Sequence, residues 1–314
     1  MQYTILGNTG VSVSRVCFGT MSFGGDADEA ASAALFNRCR EAGVNFFDCA
    51  DVYAKGRSEE ILGRLIAPRR DELVITSKVG MGSPGGLSRR HIRPRVEASL
   101  RRLGTDRIDV YFCHRFDEDT PVEQTLEAMD QLVREGKILY LGVSNWAAWQ
   151  VVLALGQSAL RGLAAIQVLQ PMYNLLKRTA EIELLLLAAD RRLGVITYSP
   201  LAGGILTGKY PGGQATTGRL AKNKMYQARY RDGANCEIAA ALAAKAHEWG
   251  VHPATLALAW VKSHPAVTAP IIGARNVEQL EPSLAAGDLD LTPAQRDEIS
   301  ALTPPVPPHH DRTE

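Results

Sequence analysis

Short apolar runs punctuate the chain at regular intervals: VCFG at 16–19, VNFFD at 44–48, LVITSK at 73–78, IDVYFC at 108–113, ILYLGV at 138–143, AIQVL at 165–169, VITYS at 195–199 and APIIG at 269–273. Each is rich in β-branched or aromatic residues and too short for a buried helix, so each predicts a strand covered on both faces. Segments with helical spacing lie between them, such as EAASAALFNRCREAG before the second run and SRRHIRPRVEASLRRLG before the fourth. The segment TPVEQTLEAMDQLVREGK opens Thr-Pro and places Glu123 three residues beyond Thr120, the pattern of a capping box. Strand and helix alternate at about 30 residues per unit, which predicts a parallel sheet with right-handed crossovers. A doubly wound sheet alternates in the same way, but eight repeats favour an α/β fold closed into a (β/α)8 TIM barrel.

Two additions interrupt the repeat. YTILGNTGVSVSRV reads as a hairpin of two alternating runs across Gly-Asn-Thr-Gly, placed to plug the bottom of a barrel. GKYPGGQATTGRLAKNKMYQARYRDG, at 208–233, reads as a long polar loop after the seventh strand, and loops of that length in a compact domain usually serve function. The reading is one barrel domain over 1–314, with an extended Pro-rich tail over 303–314. The His309-His310 pair in that tail has no acidic or thiol ligands around it and reads as solvated, so no metal site is expected.

Composition narrows the partners. With 35 Lys and Arg against 34 Asp and Glu, the chain has no general attraction for nucleic acid or an anionic membrane. The five cysteines form no C-x-x-C pair, which points to free buried thiols in a reducing compartment. No basic segment with an apolar core opens the chain, and no apolar run reaches membrane-spanning length, so the expected location is cytoplasmic.

Active sites of eight-stranded barrels lie at the carboxyl ends of the strands, which singles out four residues. Asp48 ends the second strand, Tyr53 follows in its loop, Lys78 ends the third strand, and His114 follows the fourth. A carboxylate, a phenol, an amine and an imidazole on one rim suit proton transfer to a carbonyl oxygen. An ammonium beside Tyr53 lowers the pKa of the phenol, and a buried Lys78 needs a carboxylate such as Asp48 to stay charged. His114 would orient the substrate oxygen or share the proton. Lysine at a strand end also suits a Schiff base, which keeps a barrel lyase or aldolase as an alternative.

Over residues 2–302 the chain resembles the aldo-keto reductase superfamily. LGNTGVSVSRVCFGTMSFG, NFFDCADVYAKGRSEEILGRLI, ITSKVG, DVYFCHRFD, REGKILYLGVSNW, YSPLAGGILTGKY and IIGARNVEQL match the order and spacing of the family. The resemblance implies that Asp48, Tyr53, Lys78 and His114 are a catalytic tetrad with Tyr53 as the general acid, and that NADPH is the hydride donor for a small-molecule carbonyl, with NADH as the alternative. Potassium-channel β subunits are similar segment for segment but lack a histidine at the position of His114, so a non-catalytic cofactor sensor is a further alternative.

Within the resemblance, Ser144, Asn145 and Gln167 would hold the nicotinamide carboxamide, Tyr198 would stack on its ring, and Gly19, Thr20 and Met21 would line the wall beside it. Backbone amides of the run Ser199, Pro200, Leu201, Ala202, Gly203 and Gly204 would face the pyrophosphate, with Lys209 and Arg219 as cationic clamps. Gly273, Arg275, Gln279 and Ser283 would meet the adenosine end, Arg275 pairing with a 2′-phosphate; Pro282 and Ser283 stand where relatives often have Glu and Asn. Phe23 and Trp146 would line the substrate pocket, with Tyr226 and Tyr230 from the long loop. The run Gly80 to Gly85 formally satisfies G-x-G-x-x-G, but a lone match with Pro84 inside it reads as coincidence.

Overall fold

The computed structural model describes residues 1–82, 86–210, 221, 223–230, 232–308 and 310. All of 211–220, Arg219 included, together with residues 83–85 of the glycine-rich run and His309, lie outside the described residues. Alternation of inward and outward side chains along short strands decides the architecture. Eight parallel strands of the described residues close a barrel: β3 (Cys17–Gly19), β4 (Phe46–Asp48), β5 (Val74–Val79), β6 (Ile108–Cys113), β7 (Ile138–Ser144), β8 (Ile166–Gln170), β9 (Gly194–Thr197) and β10 (Ala269–Ile272), with β10 pairing back onto β3. These are the eight expected strands, each within two residues of its expected ends. An antiparallel hairpin of β1 (Tyr3–Ile5) and β2 (Ser12–Ser14) precedes them, as the sequence pattern predicts.

One parity of strand residues fills the barrel. Cys17, Phe46, Val74, Val110, Phe112, Val168, Ile196 and Ala269 pack there, joined by Leu6 and Val13 of the hairpin, which plugs the base. The other parity, including Phe18, Phe47, Ile75, Tyr111, Leu169 and Val195, joins a larger apolar layer under the helices. Each fully buried aliphatic or aromatic side chain contributes roughly 1.5–3 kcal/mol. Gly142 in β7 is required by the interior filling: a Cβ there would stand 2.5 Å from the Phe112 ring.

The first barrel helices are α1 (Glu29–Glu41), α2 (Arg57–Ile66), α3 (Arg89–Leu103), α4 (Val122–Arg134), α5 (Ala148–Arg161) and α6 (Leu184–Arg191). The capping box expected at Thr120 does not form. Pro121 itself takes the cap position of α4, which pushes Thr120 one residue outside, where its hydroxyl donates to Asp117 at 2.8 Å. The expected loop at 208–233 is also partly helical: α7 (Lys224–Tyr230) buries Tyr226 and Tyr230, whose four-residue spacing puts them on one face. Helices α8 (Gly233–Glu248) and α9 (Pro253–Lys262) lead to β10, and α10 (Val277–Ala285) and α11 (Pro293–Ser300) follow it.

The five cysteines are free, four buried and Cys236 half-buried. Among the described residues no group of side chains forms a metal site, and no helix is long and apolar enough to cross a membrane.

Candidate active site

Strand register brings the expected quartet together. Asp48 and Thr76 are direct partners across the β4–β5 ladder, and Thr76 and Lys78 share the inward face of β5. The Lys78 ammonium donates to Asp48 Oδ2 at 2.7 Å, to the Cys49 carbonyl at 2.6 Å and to the Tyr53 hydroxyl at 3.3 Å. All three of its N–H groups thereby find acceptors. The other oxygen of Asp48 accepts from Thr76 Oγ1 at 2.7 Å and from Gln170 Nε2 at 2.9 Å. Tyr53 reaches the site from a tight turn in which Ala54, Lys55 and Gly56 all have positive φ. The His114 ring stands edge-on to Tyr53, with centroids 6.2 Å apart.

Burial governs the titration of these groups. Desolvation alone would lower the pKa of Lys78, but the Asp48 charge and hydrogen bond outweigh it and hold the ammonium above its ordinary value. An amine so engaged is a poor nucleophile, which counts against a Schiff base. For Tyr53 the expected lowering by Lys78 is present, yet burial is the larger effect and the phenol rises to about 12. The phenol therefore stays protonated through the neutral range. Burial, helped by the Lys78 charge, depresses His114 to about 3, so its imidazole is neutral. That suits a hydrogen-bonding role better than a shared proton. His114 Nδ1 is buried and has no hydrogen-bond partner among the described residues.

Across the rim from the quartet, Ser144 donates to the Gln170 carbonyl, Asn145 Nδ2 donates to Ser144 Oγ and the His114 carbonyl, and the Tyr198 hydroxyl donates to Asn145 Oδ1 at 2.6 Å. Gln167 does not join them. It lies one residue from inward-facing Val168 and so points away from the interior, whereas Gln170, at the carboxyl end of β8, points in. Thr20 is fully buried, with its amide and hydroxyl on the Asp48 carbonyl, while Met21 is exposed. Gly19 and Gly273 leave bare backbone between β3 and β10, where a Cβ on Gly273 would sit 3.5 Å from the Gly19 carbonyl.

The loop after β9 is built from left-handed turns: Ser199, Ala202, Gly203 and Gly204 all have positive φ. Two amides assigned to an anion are already used in those turns, Ala202 onto the Ser199 carbonyl and Gly204 onto that of Leu201. Pro200 is buried and has no amide hydrogen to give. At Gly203 a Cβ would stand 2.6 Å from the Tyr226 ring, so α7 packs directly on this loop. Lys209 overlies Gly204 and lies 5.0 Å from the centre of the Tyr210 ring. Arg275 is close enough to Tyr210 for its charge to oppose the rise that burial causes in that phenol. Its guanidinium also donates to Gln279 at 3.4 Å, at the start of α10, where Asn276 caps the Gln279 amide. Two cations thus share the far end of the rim.

Other expectations need correction. Phe23 is fully buried against Phe18, at 5.7 Å, so it belongs to the apolar layer rather than to a pocket wall. Ser283 is 1 % exposed inside α10 and cannot meet an adenine. Tyr230 is fully buried, its hydroxyl accepting from Asn174 and contacting Met172 Sδ, and Tyr226 stacks beside it at 6.4 Å. Trp146 is buried edge-on against Phe116 at 4.8 Å, and with Asn145, Gln170, Met172 and Tyr198 it lines a cavity of about 220 Å³. Phe116, Thr76 and Gln170 are not singled out by the sequence; for Gln170 the deciding observation, the inward packing of Val168 two residues before it, comes from the structure.

The donors present fit a nicotinamide dinucleotide. Side-chain amides and a half-exposed tyrosine ring lie beside the quartet, with turns and cations farther along the rim. Comparison with known proteins agrees in class. A sequence profile described as the aldo/keto reductase family matches residues 15–304. An uncharacterized oxidoreductase of Bacillus subtilis is 40 % identical over 307 residues, covering 93 % of this chain and 92 % of its own. Probable voltage-gated potassium channel β subunits of Arabidopsis thaliana and Oryza sativa are each 39 % identical, covering 96 % and 98 % of both chains respectively.

Proposed function

The chain belongs to the aldo/keto reductase family, and we propose that it is an oxidoreductase that reduces an aldehyde or ketone to the alcohol with NADPH as the donor. The observation that carries this reading is the buried ammonium of Lys78 donating to a protonated Tyr53 hydroxyl at 3.3 Å. When bound, the reduced nicotinamide supplies the hydride that adds to the carbonyl carbon. Tyr53 gives its proton to the carbonyl oxygen as the charge on that oxygen grows, and Lys78 steadies the phenolate left behind. Neutral His114 donates a hydrogen bond that orients the same oxygen.

Ser144, Asn145 and Gln170 would hold the carboxamide, and the Tyr198 ring would support the nicotinamide face. Lys209 and Arg275, with Arg219 outside the described residues, would take the phosphates. Arg275 supports NADPH over NADH, because a guanidinium grips a 2′-phosphate by paired charge-assisted bonds. Trp146 and Phe116 favour a sugar or a small aliphatic or aryl carbonyl. Free thiols suit the cytoplasm. The channel subunits among the relatives suggest a cofactor-binding sensor instead, but the complete quartet with a neutral histidine favours turnover.

The test is consumption of NADPH and NADH against a panel of aldehydes, ketoses and dicarbonyls. Tyr53→Phe should lower kcat by about 10²–10⁴-fold with cofactor affinity kept. Failure to bind either cofactor, or absence of turnover across the panel, overturns the proposal.

A further inference from the structure

We infer that Thr76 is a positioning residue for this reaction: its buried hydroxyl fixes the Asp48 carboxylate in the orientation that keeps Lys78 charged against Tyr53. Thr76 sits directly opposite Asp48 in the β4–β5 ladder, and its Oγ1 donates to Asp48 Oδ1 at 2.7 Å. It is fully buried, two residues before Lys78 on the same inward face, with apolar Val74 and Phe46 below. Among the described residues the bond to Asp48 is the only hydrogen bond that its hydroxyl makes. A buried hydroxyl with one acceptor is a fixed strut.

The second donor to Oδ1 is of another kind. Gln170 reaches Asp48 from β8, on the opposite wall of the barrel, through a longer side chain and at 2.9 Å. The inference rests on the proposed function in one respect: there the Gln170 amide is shared with the nicotinamide carboxamide. Thr76 is then the donor whose hold on Asp48 does not vary with occupancy of the rim. Its proton draws charge onto Oδ1 and leaves Oδ2 facing the Lys78 ammonium. Without it, the carboxylate can turn about its Cβ–Cγ bond, the ammonium is held less firmly, and the phenolate form of Tyr53 loses support.

The experiment measures the wild type, Thr76→Val, Thr76→Ala and Thr76→Ser in both directions. Carbonyl reduction by NADPH gives kcat and KM, and oxidation of the corresponding alcohol by NADP⁺ is followed against pH. In oxidation Tyr53 acts as the base, so that rate rises with pH as the phenol ionises. Thr76→Val should lower kcat about tenfold, in line with loss of a hydrogen bond to a charged group, with KM for the cofactor unchanged. The rise of the oxidation rate should move to higher pH by about half a pH unit or more, and Thr76→Ser should restore both. If Val does not fold, Ala carries the same expectation. Wild-type turnover matched by Val or Ala, with the pH profile in place, overturns this inference alone. A slower variant with an unmoved profile and no rescue by Ser also overturns it, leaving a packing role. Absence of turnover in the wild type overturns the proposed function, and this inference with it.

Discussion

The two ends of the rim are built by different means. Asp48, Thr76 and Lys78 stand on paired strands, and the Lys78 ammonium donates to Asp48, to the Cys49 carbonyl and to the Tyr53 hydroxyl, which satisfies all three of its protons. Lys209 and Arg275 stand on loops, the first exposed and the second half-buried, and the left-handed turns beside Lys209 spend some of their own amides. The first region is placed by the ladder and is rigid before any ligand arrives. The second presents charge for a ligand to organise. Proton chemistry tolerates little positional error, whereas phosphate binding gains from charge even when its geometry is loose.

The largest expected break in this contrast comes from Lys78→Met. Removing the cation should lower kcat by about 10²–10⁴-fold. It also strands Asp48 as a buried charge, at a cost of about 3–5 kcal/mol, which a denaturant titration reads directly. Unchanged turnover in this variant would contradict its assigned role. At the other end of the rim, Arg275→Ala should weaken NADPH binding by about 10–100-fold, with little effect on NADH, on kcat or on melting temperature. Equal losses for both cofactors would remove Arg275 from the 2′-phosphate.

The smallest effect lies beside the quartet. Asp51, in the loop that carries Tyr53, has a buried Oδ1 with no hydrogen-bond partner among the described residues, and burial followed by the nearby Glu59 charge pushes its carboxyl up to about 6. Its folded pKa lies above the unfolded one, so the folded state binds the proton more tightly. The resulting stability is complete below about pH 4 and fades as pH rises through about 6, for a total of at most about 3 kcal/mol. Asp51→Asn should flatten that part of the melting profile between pH 4 and 7, by a few degrees, without moving kcat at neutral pH. A profile that keeps its slope would assign the titration to another group.

The strands were legible because β-branched runs bounded by turns leave few other readings, and the quartet because three of its members end or follow such runs. Parity was not legible. AIQVLQ offers Gln167 and Gln170, and only the inward packing of Val168 decides between them. Phe23 and Ser283 look available in a one-dimensional pattern but are buried by packing that the pattern does not show, Tyr226 and Tyr230 are buried on one face of α7, and Pro121 displaced the cap expected at Thr120. The pKa of Tyr53 went the other way because the sequence shows the neighbouring charge but not the depth of burial.

The pairing of β10 with β3 joins Ile271 to Cys17, so the barrel has no closed form until nearly the whole chain has been made. Asp48, Tyr53, Lys78 and His114 leave the ribosome early, and Gln170, Tyr198 and Arg275 follow, in that order. Until the last strand docks, β3 and β9 each present an open edge able to pair with another chain. Closure therefore carries a high contact order, and folding of this protein should be limited by that final seam rather than by assembly of the residues that move the proton.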